Sequence, residues 1–140
     1  MIKQIGDSFL AIFSEPSTAV ERSLEFQSGL NKIKDQITLG HYTLQVRAGL
    51  HLGQVSLDDS LEVDIFGGHV NKAARIMSIA LGCQILTSDV VRDNAVNWLK
   101  DKDINTKYYG KTKLKGFSEF TSIHEFFNIE TKPIGIPKVL

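Results

Sequence analysis

The apolar residues of this chain switch period repeatedly, and that succession confines it to folds that interleave strands with helices. Ile2, Ile5 and the run Phe9–Phe13 flank a Gly6-Asp7 turn signal, as the two strands of a β-hairpin do. Ser14-Glu15-Pro16 follows, with the proline near the first helical position, where its missing N–H costs nothing. Val20, Leu24, Leu30, Ile33 and Ile37 then recur at helical spacing, with Glu21, Arg22, Lys32 and Lys34 on other faces. Gly40 closes this predicted helix.

From Tyr42 the pattern returns to alternation. Tyr42, Leu44 and Val46 share one strand face, and Gly49 to Leu57 continues as strand. Gly53 inside it marks a bend or a close backbone approach. Asp58-Asp59-Ser60 reads as a turn. The stretch from Asp64 to Gly68 leads into a second helix, whose buried stripe is expected from Val70, Ala73, Ala74, Met77 and Leu81. Gln84–Thr87 is a short strand, and Ser88 caps a helix through Val96. Tyr108–Lys115 and Thr121–Phe127 form a final antiparallel hairpin around Gly116-Phe117-Ser118. The tail from Thr131 to Leu140, with Pro133, Gly135 and Pro137, is expected as a loose end or linker. These elements predict an α+β fold, an antiparallel ferredoxin-like sheet with helices on one face.

With 140 residues the chain can build one domain with a core, but not two. Sixteen basic residues balance sixteen acidic ones, so no global charge draws it to nucleic acid or to a membrane surface. The lone Cys83 excludes an internal disulfide framework and fits a cytoplasmic location. No apolar run approaches the roughly 20 residues that span a bilayer, and Met1–Asp7 lacks the pattern of a signal peptide.

Three segments carry the chemistry: Lys3-Gln-Ile-Gly-Asp7-Ser-Phe-Leu-Ala-Ile-Phe13, Arg47-Ala-Gly-Leu-His51-Leu-Gly53-Gln-Val55, and Val63-Asp64-Ile-Phe-Gly67-Gly-His-Val-Asn71-Lys-Ala-Ala-Arg75-Ile-Met77. Together, in this order, they resemble the signature of class III nucleotidyl cyclase catalytic domains, and the resemblance runs from Lys3 to Phe127. It implies that ribose O3′ attacks the α-phosphate of ATP and that cyclic AMP and pyrophosphate form, in intracellular signalling. Such chemistry needs divalent ions (Mg2+ or Mn2+, two in the complete family site) and cationic donors aimed at the developing charge.

The resemblance assigns a role to each matching residue. Asp7 corresponds to a metal aspartate in the turn of a strand hairpin, although a turn aspartate after glycine is by itself ordinary. Asn71 and Arg75 stand four apart, so they project from one helix face. In the family that pair orients the ribose and stabilises the transition-state phosphate; without the motif they would read as a solvated helix face. Lys3 and Asp64 match the lysine and aspartate that read the adenine edge, where guanylate cyclases carry glutamate and a small residue. A surface lysine and a carboxylate at a helix start are the bland alternatives. Lys115 in the Leu114-Lys115-Gly116 step resembles the lysine of the terminal hairpin that contacts the β- and γ-phosphates. Lys111 and Lys113 read equally well as lysines blunting an edge strand.

The family domain opens with a strand and helix that carry the other metal aspartate in an Asp-Ile-x-Gly-Phe-Thr-like stretch, and nothing in this sequence matches it. Residues 1–129 therefore read as a class III cyclase domain incomplete at its amino end, with 130–140 as tail. Family sites form between two head-to-tail protomers. One supplies the metal aspartates, and the other supplies the base-reading pair with the asparagine and arginine. The expected partners are ATP and a second protomer, in a homodimer or with a cyclase protomer that carries both metal aspartates. The isolated chain is expected to be inactive or weak. The alternative is a non-catalytic cyclase-homology module for dimerisation or nucleotide sensing. Gly67-Gly68 lacks phosphate-loop spacing, and His41, His51, His69 and His124 lack metal-ligand spacing.

Overall fold

A computed structural model describes residues 2–34, 36, 40, 43–54 and 68–138. The chain opens with a hairpin of β1 (Ile2–Ile5) and β2 (Ser8–Ala11), in which Ile5 pairs with Ser8 across the Gly6-Asp7 turn. Gly6 takes φ +59, a left-handed value that glycine reaches without strain. Among the described strands this hairpin is a sheet of its own, and Ile2, Ile5 and Phe9 remain largely exposed on it.

Helix α1 (Pro16–Ile33) starts as predicted, with proline in its first turn. It ends at Ile33, earlier than the sequence suggests, and Ile33 is exposed there. Ile37 of the predicted stripe lies outside the described residues. Gln27 is the unanticipated buried residue of α1: its amide donates to the Val46 carbonyl at 2.6 Å, which satisfies both groups.

The main sheet has four strands in the order β3 (Ala48–Leu50), β4 (Ile85–Ser88), β6 (Phe120–Phe127), β5 (Asn105–Lys113). It is mixed rather than antiparallel throughout, since β3 runs parallel to β4 while the other pairs are antiparallel. Residues 43–47 form no strand despite their alternation, and β3 is only three residues long. The strand predicted on to Leu57 and the turn at Asp58–Ser60 lie outside the described residues.

Adjacent residues of a strand face opposite sides of its sheet, so the two core clusters report the layers. Ile85 and Phe126 pack with Val20 and Leu24 of α1 and with Val91, Ala95 and Leu99 of α3 (Asp89–Leu99). Leu86 and Ile123 point the other way, against Ile76 and Ala80 at α2 (Gly68–Ile79) and against Leu114. The helical layer expected on one face is thus α1 with α3, while α2 covers the opposite face. Burying an Ile or Leu side chain is worth about 1.5–3 kcal/mol, so both layers are held firmly.

The buried side of α2 differs in detail from the predicted stripe. Ile76 and the following Ala80 are fully buried, Val70, Ala73 and Met77 are half-buried, and Ala74 is exposed. What fixes this rotation is close approach to β3. A Cβ added at Gly49 would lie 2.3 Å from the Met77 nitrogen and 2.5 Å from the Ala73 oxygen, and one at Gly53 would enter the His69 ring. At Gly53, where a bend or a close backbone approach was expected, it is the His69 side chain that comes close, and the backbone approach is at Gly49.

The tail is the clearest departure from the sequence reading. Its described part, to Lys138, is no loose end: the Lys138 amide donates to the Ile79 carbonyl at 2.9 Å, the Ile134 amide donates to Glu125, and Pro137 is buried.

Gly49→Ala must move α2 backbone and is expected to cost about 1–3 kcal/mol, whereas Gly29→Ala in α1, with open space around its Cβ, is expected to gain about 0.5–1 kcal/mol. Urea unfolding of the two variants checks the pair; a neutral Gly49→Ala would contradict this account of the packing.

Candidate functional site

Turning Ile76 and Ala80 into the core leaves Asn71, Ala74 and Arg75 on the outer face of α2. Ala74 was expected in the buried stripe; it is exposed instead and flanks Asn71 on the outer face. Among the described residues, neither the Asn71 nor the Arg75 side chain is taken up by a hydrogen bond or ion pair. The Arg75 carbonyl accepts from Ser78 Oγ at 2.6 Å, so only its backbone is engaged.

The turn between β5 and β6 lies against the same helix. Leu114 is buried with Ile76, Phe117 packs on that cluster, and the Lys72 ammonium sits 5.7 Å from the centre of the Phe117 ring. Between these two anchors, Lys115 is exposed and Gly116 takes φ +88. Lys115 stands in the turn itself, because β5 ends at Lys113. The structure thus brings α2 and the Lys115 turn into one unit on one face of the sheet, with Arg75, Lys72 and Lys115 as its cations. Lys111 and Lys113 flank buried Thr112 on β5, which pairs only with β6 among the described strands. That is the geometry of a lysine-blunted edge.

Two further assigned residues, Lys3 and Asp7, belong to the hairpin rather than to this unit. Lys3, half-buried, pairs in register with Leu10 on the separate hairpin, and Asp7 is exposed at its turn. Asp64 lies outside the described residues. Among the described residues no three His, Cys, Asp or Glu side chains converge as a metal site would require. A single exposed carboxylate does not make the two-ion site that the resemblance implies, so the described residues do not fit that group by themselves.

Beneath the first turn of α2 lies a polar contact that sequence spacing did not disclose. His51, just past β3, takes Ser88 Oγ at 2.7 Å on Nδ1 and His69 Nδ1 at 3.1 Å on Nε2. The signal was present in the motif: His51 and Gly53 alternate along one side of the chain, and the ring that Gly53 admits is that of His69. Partial burial, helped by the Lys72 charge and by His69, lowers the His51 pKa from 6.5 to about 4. Ser88 consequently precedes α3 without capping it through its side chain. Next to it, burial would raise the Asp89 pKa, but hydrogen bonds from His124 and Ser122 outweigh that and hold it below the usual range.

A cleft of about 420 Å³ opens between the end of α1 and residues 43–45, lined by Leu30, Lys34, Leu44 and Cys83 among others. Among the described residues, none of those assigned a role lines it.

Comparison with known proteins follows the same geometry. The family model "Adenylate and Guanylate cyclase catalytic domain" matches residues 1–130. An uncharacterized protein of Mycobacterium tuberculosis is 32% identical over 117 residues, which cover 84% of this chain and 27% of that protein. The chain therefore spans about 27% of the length of such curated relatives. Among solved structures, an adenylate cyclase from Trypanosoma brucei in its monomeric state superposes with a TM-score of 0.75 at 21% identity, over 98% of this chain and 73% of that one. An adenylate/guanylate cyclase/hydrolase from Silicibacter pomeroyi superposes with a TM-score of 0.72 at 27% identity, over 91% and 72%.

A His51 pKa below its ordinary value means that the unfolded chain takes up the proton first. The stability contributed by neutral His51 is complete above about pH 6.5 and is lost as pH falls toward about 4. His51→Gln is expected to flatten the dependence of unfolding free energy on pH in that window, and parallel curves for the two proteins would contradict it.

Proposed function

This chain belongs to the family of adenylate and guanylate cyclase catalytic domains, and on that premise we propose that it contributes one half of a site converting ATP to cyclic AMP and pyrophosphate. The observation that carries the reading is the outer face of α2, where Asn71 and Arg75 stand unpaired among the described residues beside the Lys115 turn. A cyclase half-site needs donors that are free in the ground state and aimed at charge that develops later. An Asn and an Arg committed to surface pairs would not serve.

In this reading the ribose O3′ gives up its proton to solvent and forms the new bond to the α-phosphorus, the bond to the bridging oxygen breaks, and pyrophosphate carries away the electron pair. Asn71 holds the ribose so that O3′ lies in line. Arg75 donates to the α-phosphate oxygens as charge grows on them, and Lys115 donates to the β- and γ-phosphates. Lys3 and Asp64 select the base: adenine offers N1 as an acceptor for the ammonium and its N6 amine as a donor to the carboxylate. Guanine presents the reverse pattern, a carbonyl and an N1–H, and meets like against like. The family uses divalent ions, and this chain matches only one of the two aspartates that hold them, Asp7. The second protomer is proposed to supply the complete metal set.

A second reading is a cyclase-homology module that dimerises or senses nucleotide without turnover.

Both readings are decided by complementation. The isolated chain is expected to form no cyclic AMP. Mixed with a cyclase protomer that retains both metal aspartates but has lost its own asparagine–arginine pair, it is expected to restore Mg2+-dependent activity. Arg75→Ala in this chain is then expected to lower the restored rate about 10²–10³-fold. Restored activity that survives Arg75→Ala defeats the catalytic role of α2, and a mixture that binds ATP without turnover supports the second reading.

A further inference from the structure

The least expected polar group in the molecule is Glu125, in the middle of β6 and 1% exposed. Its side chain lies on the sheet face covered by α2, because Glu125 pairs with Leu86 and alternates with Phe126, which faces α1 and α3. Every contact it makes is with a donor. Tyr109 Oη donates to Oε1 at 2.6 Å, Gln84 Nε2 donates to Oε1 at 2.8 Å, and the Ile134 amide donates to Oε2 at 3.0 Å. Burial, and then the bond to Glu125, push the Tyr109 hydroxyl well above the usual phenol range, so it remains a donor.

Two of these partners reach the tail. Gln84, itself fully buried, also donates through Nε2 to the Gly135 carbonyl at 2.7 Å, and its Oε1 accepts the Leu81 amide just past α2. Three residues beyond Gly135, the Lys138 amide satisfies the Ile79 carbonyl at the end of α2, one of the orphan acceptors every helix terminus leaves. Residues 133–138 thus form a strap from the buried carboxylate of β6 to the last turn of the helix that carries Asn71 and Arg75. The family match stops at residue 130, so this strap lies outside it.

We infer that the strap and Glu125 are positioning elements for α2: they fix the carboxy-terminal end of the helix, and through it the direction in which Asn71 and Arg75 project. The catalytic consequence rests on the half-site reading above; the mechanical one does not. A buried carboxylate is tolerated only while its donors stay in place, so the strap has one seated position. Whatever pulls residues 133–138 away uncovers Glu125 and frees the end of α2 together. The strap thereby makes the helix sensitive to any load applied to the chain around residue 138.

Ile134→Pro tests this in the full chain, because it deletes one N–H donor to Glu125; a chain ending at Thr131 removes the strap outright. Amide exchange is expected to quicken about five-fold or more at Lys138 and in the last turn of α2 in the point variant, and in that turn in the shortened chain, with α1 and α3 unchanged. In the complemented dimer described above, Ile134→Pro is expected to lower kcat about five-fold while KM for ATP holds. Unchanged exchange in α2, or an equal rise in every element, overturns the inference, and so does a change confined to KM. If the wild-type mixture gives no cyclic AMP at all, the half-site reading fails and the exchange pattern alone decides the strap.

Discussion

Helix α2 rests on β3 at a distance that excludes a single carbon atom. A Cβ at residue 49 would sit 2.3 Å from the backbone nitrogen of Met77, so only glycine lets the helix reach that depth. The consequences pass outward from this contact. Depth and rotation together put Ile76 and Ala80 into the core with Leu86, Leu114 and Ile123. A helix has one buried stripe, so the same rotation sends Asn71, Ala74 and Arg75 to the outer face. Gly53 repeats the device one step further on and seats the His69 ring, which His51 and Ser88 then tie to the sheet. The strap holds the other end of the helix. α2 is therefore fixed at its start by an imidazole contact, along its length by missing side chains, and at its end by a backbone hydrogen bond.

The mixed sheet divides the molecule into a structural layer and a functional one. α1 and α3 bury most of the large apolar side chains on one face. The other face carries α2, the Lys115 turn, the histidine contact and the buried carboxylate. That face has its own smaller core at Ile76, Leu86, Leu114 and Ile123, and Asn71 and Arg75 lie outside it. Among the described strands, the hairpin with Lys3 and Asp7 is a sheet of two, with three large apolar residues exposed. Two-stranded hairpins are marginal by themselves, so this is the part of the domain with most to gain from a neighbouring chain. It is also the part that carries the base-reading lysine and the single metal-type aspartate of the proposed site.

Much of this was legible in the residues. Gly6-Asp7 announced the hairpin, Pro16 the start of α1, and the i, i+4 spacing of Asn71 and Arg75 their common face. The misreadings have physical causes. Alternation at Tyr42, Leu44 and Val46 suggested a strand, but alternation records only which sides are apolar, and residues 43–47 are in no strand among the described residues. Ala74 looked like core because alanine is neutral in polarity; the volume needed at that interface came from Ile76 instead. Gln27, Gln84 and Glu125 were invisible as interior residues, since each is buried through a hydrogen bond to a segment distant in sequence. The tail was misread for the same reason: prolines and a glycine describe what a backbone cannot do, and its hydrogen bonds go to Ile79, Gln84 and Glu125. Asp64, the other half of the proposed base-reading pair, lies outside the described residues.

The central claim is that this chain reads adenine and stabilises the reacting phosphate for a partner that holds the metals. The most direct measurement is the product ratio of the complemented dimer supplied with equal ATP and GTP. Lys3 and Asp64 predict cyclic AMP as the dominant product, and exchanging Lys3 for glutamate should erode that preference without abolishing turnover. A dimer that makes cyclic GMP as readily as cyclic AMP would contradict the account.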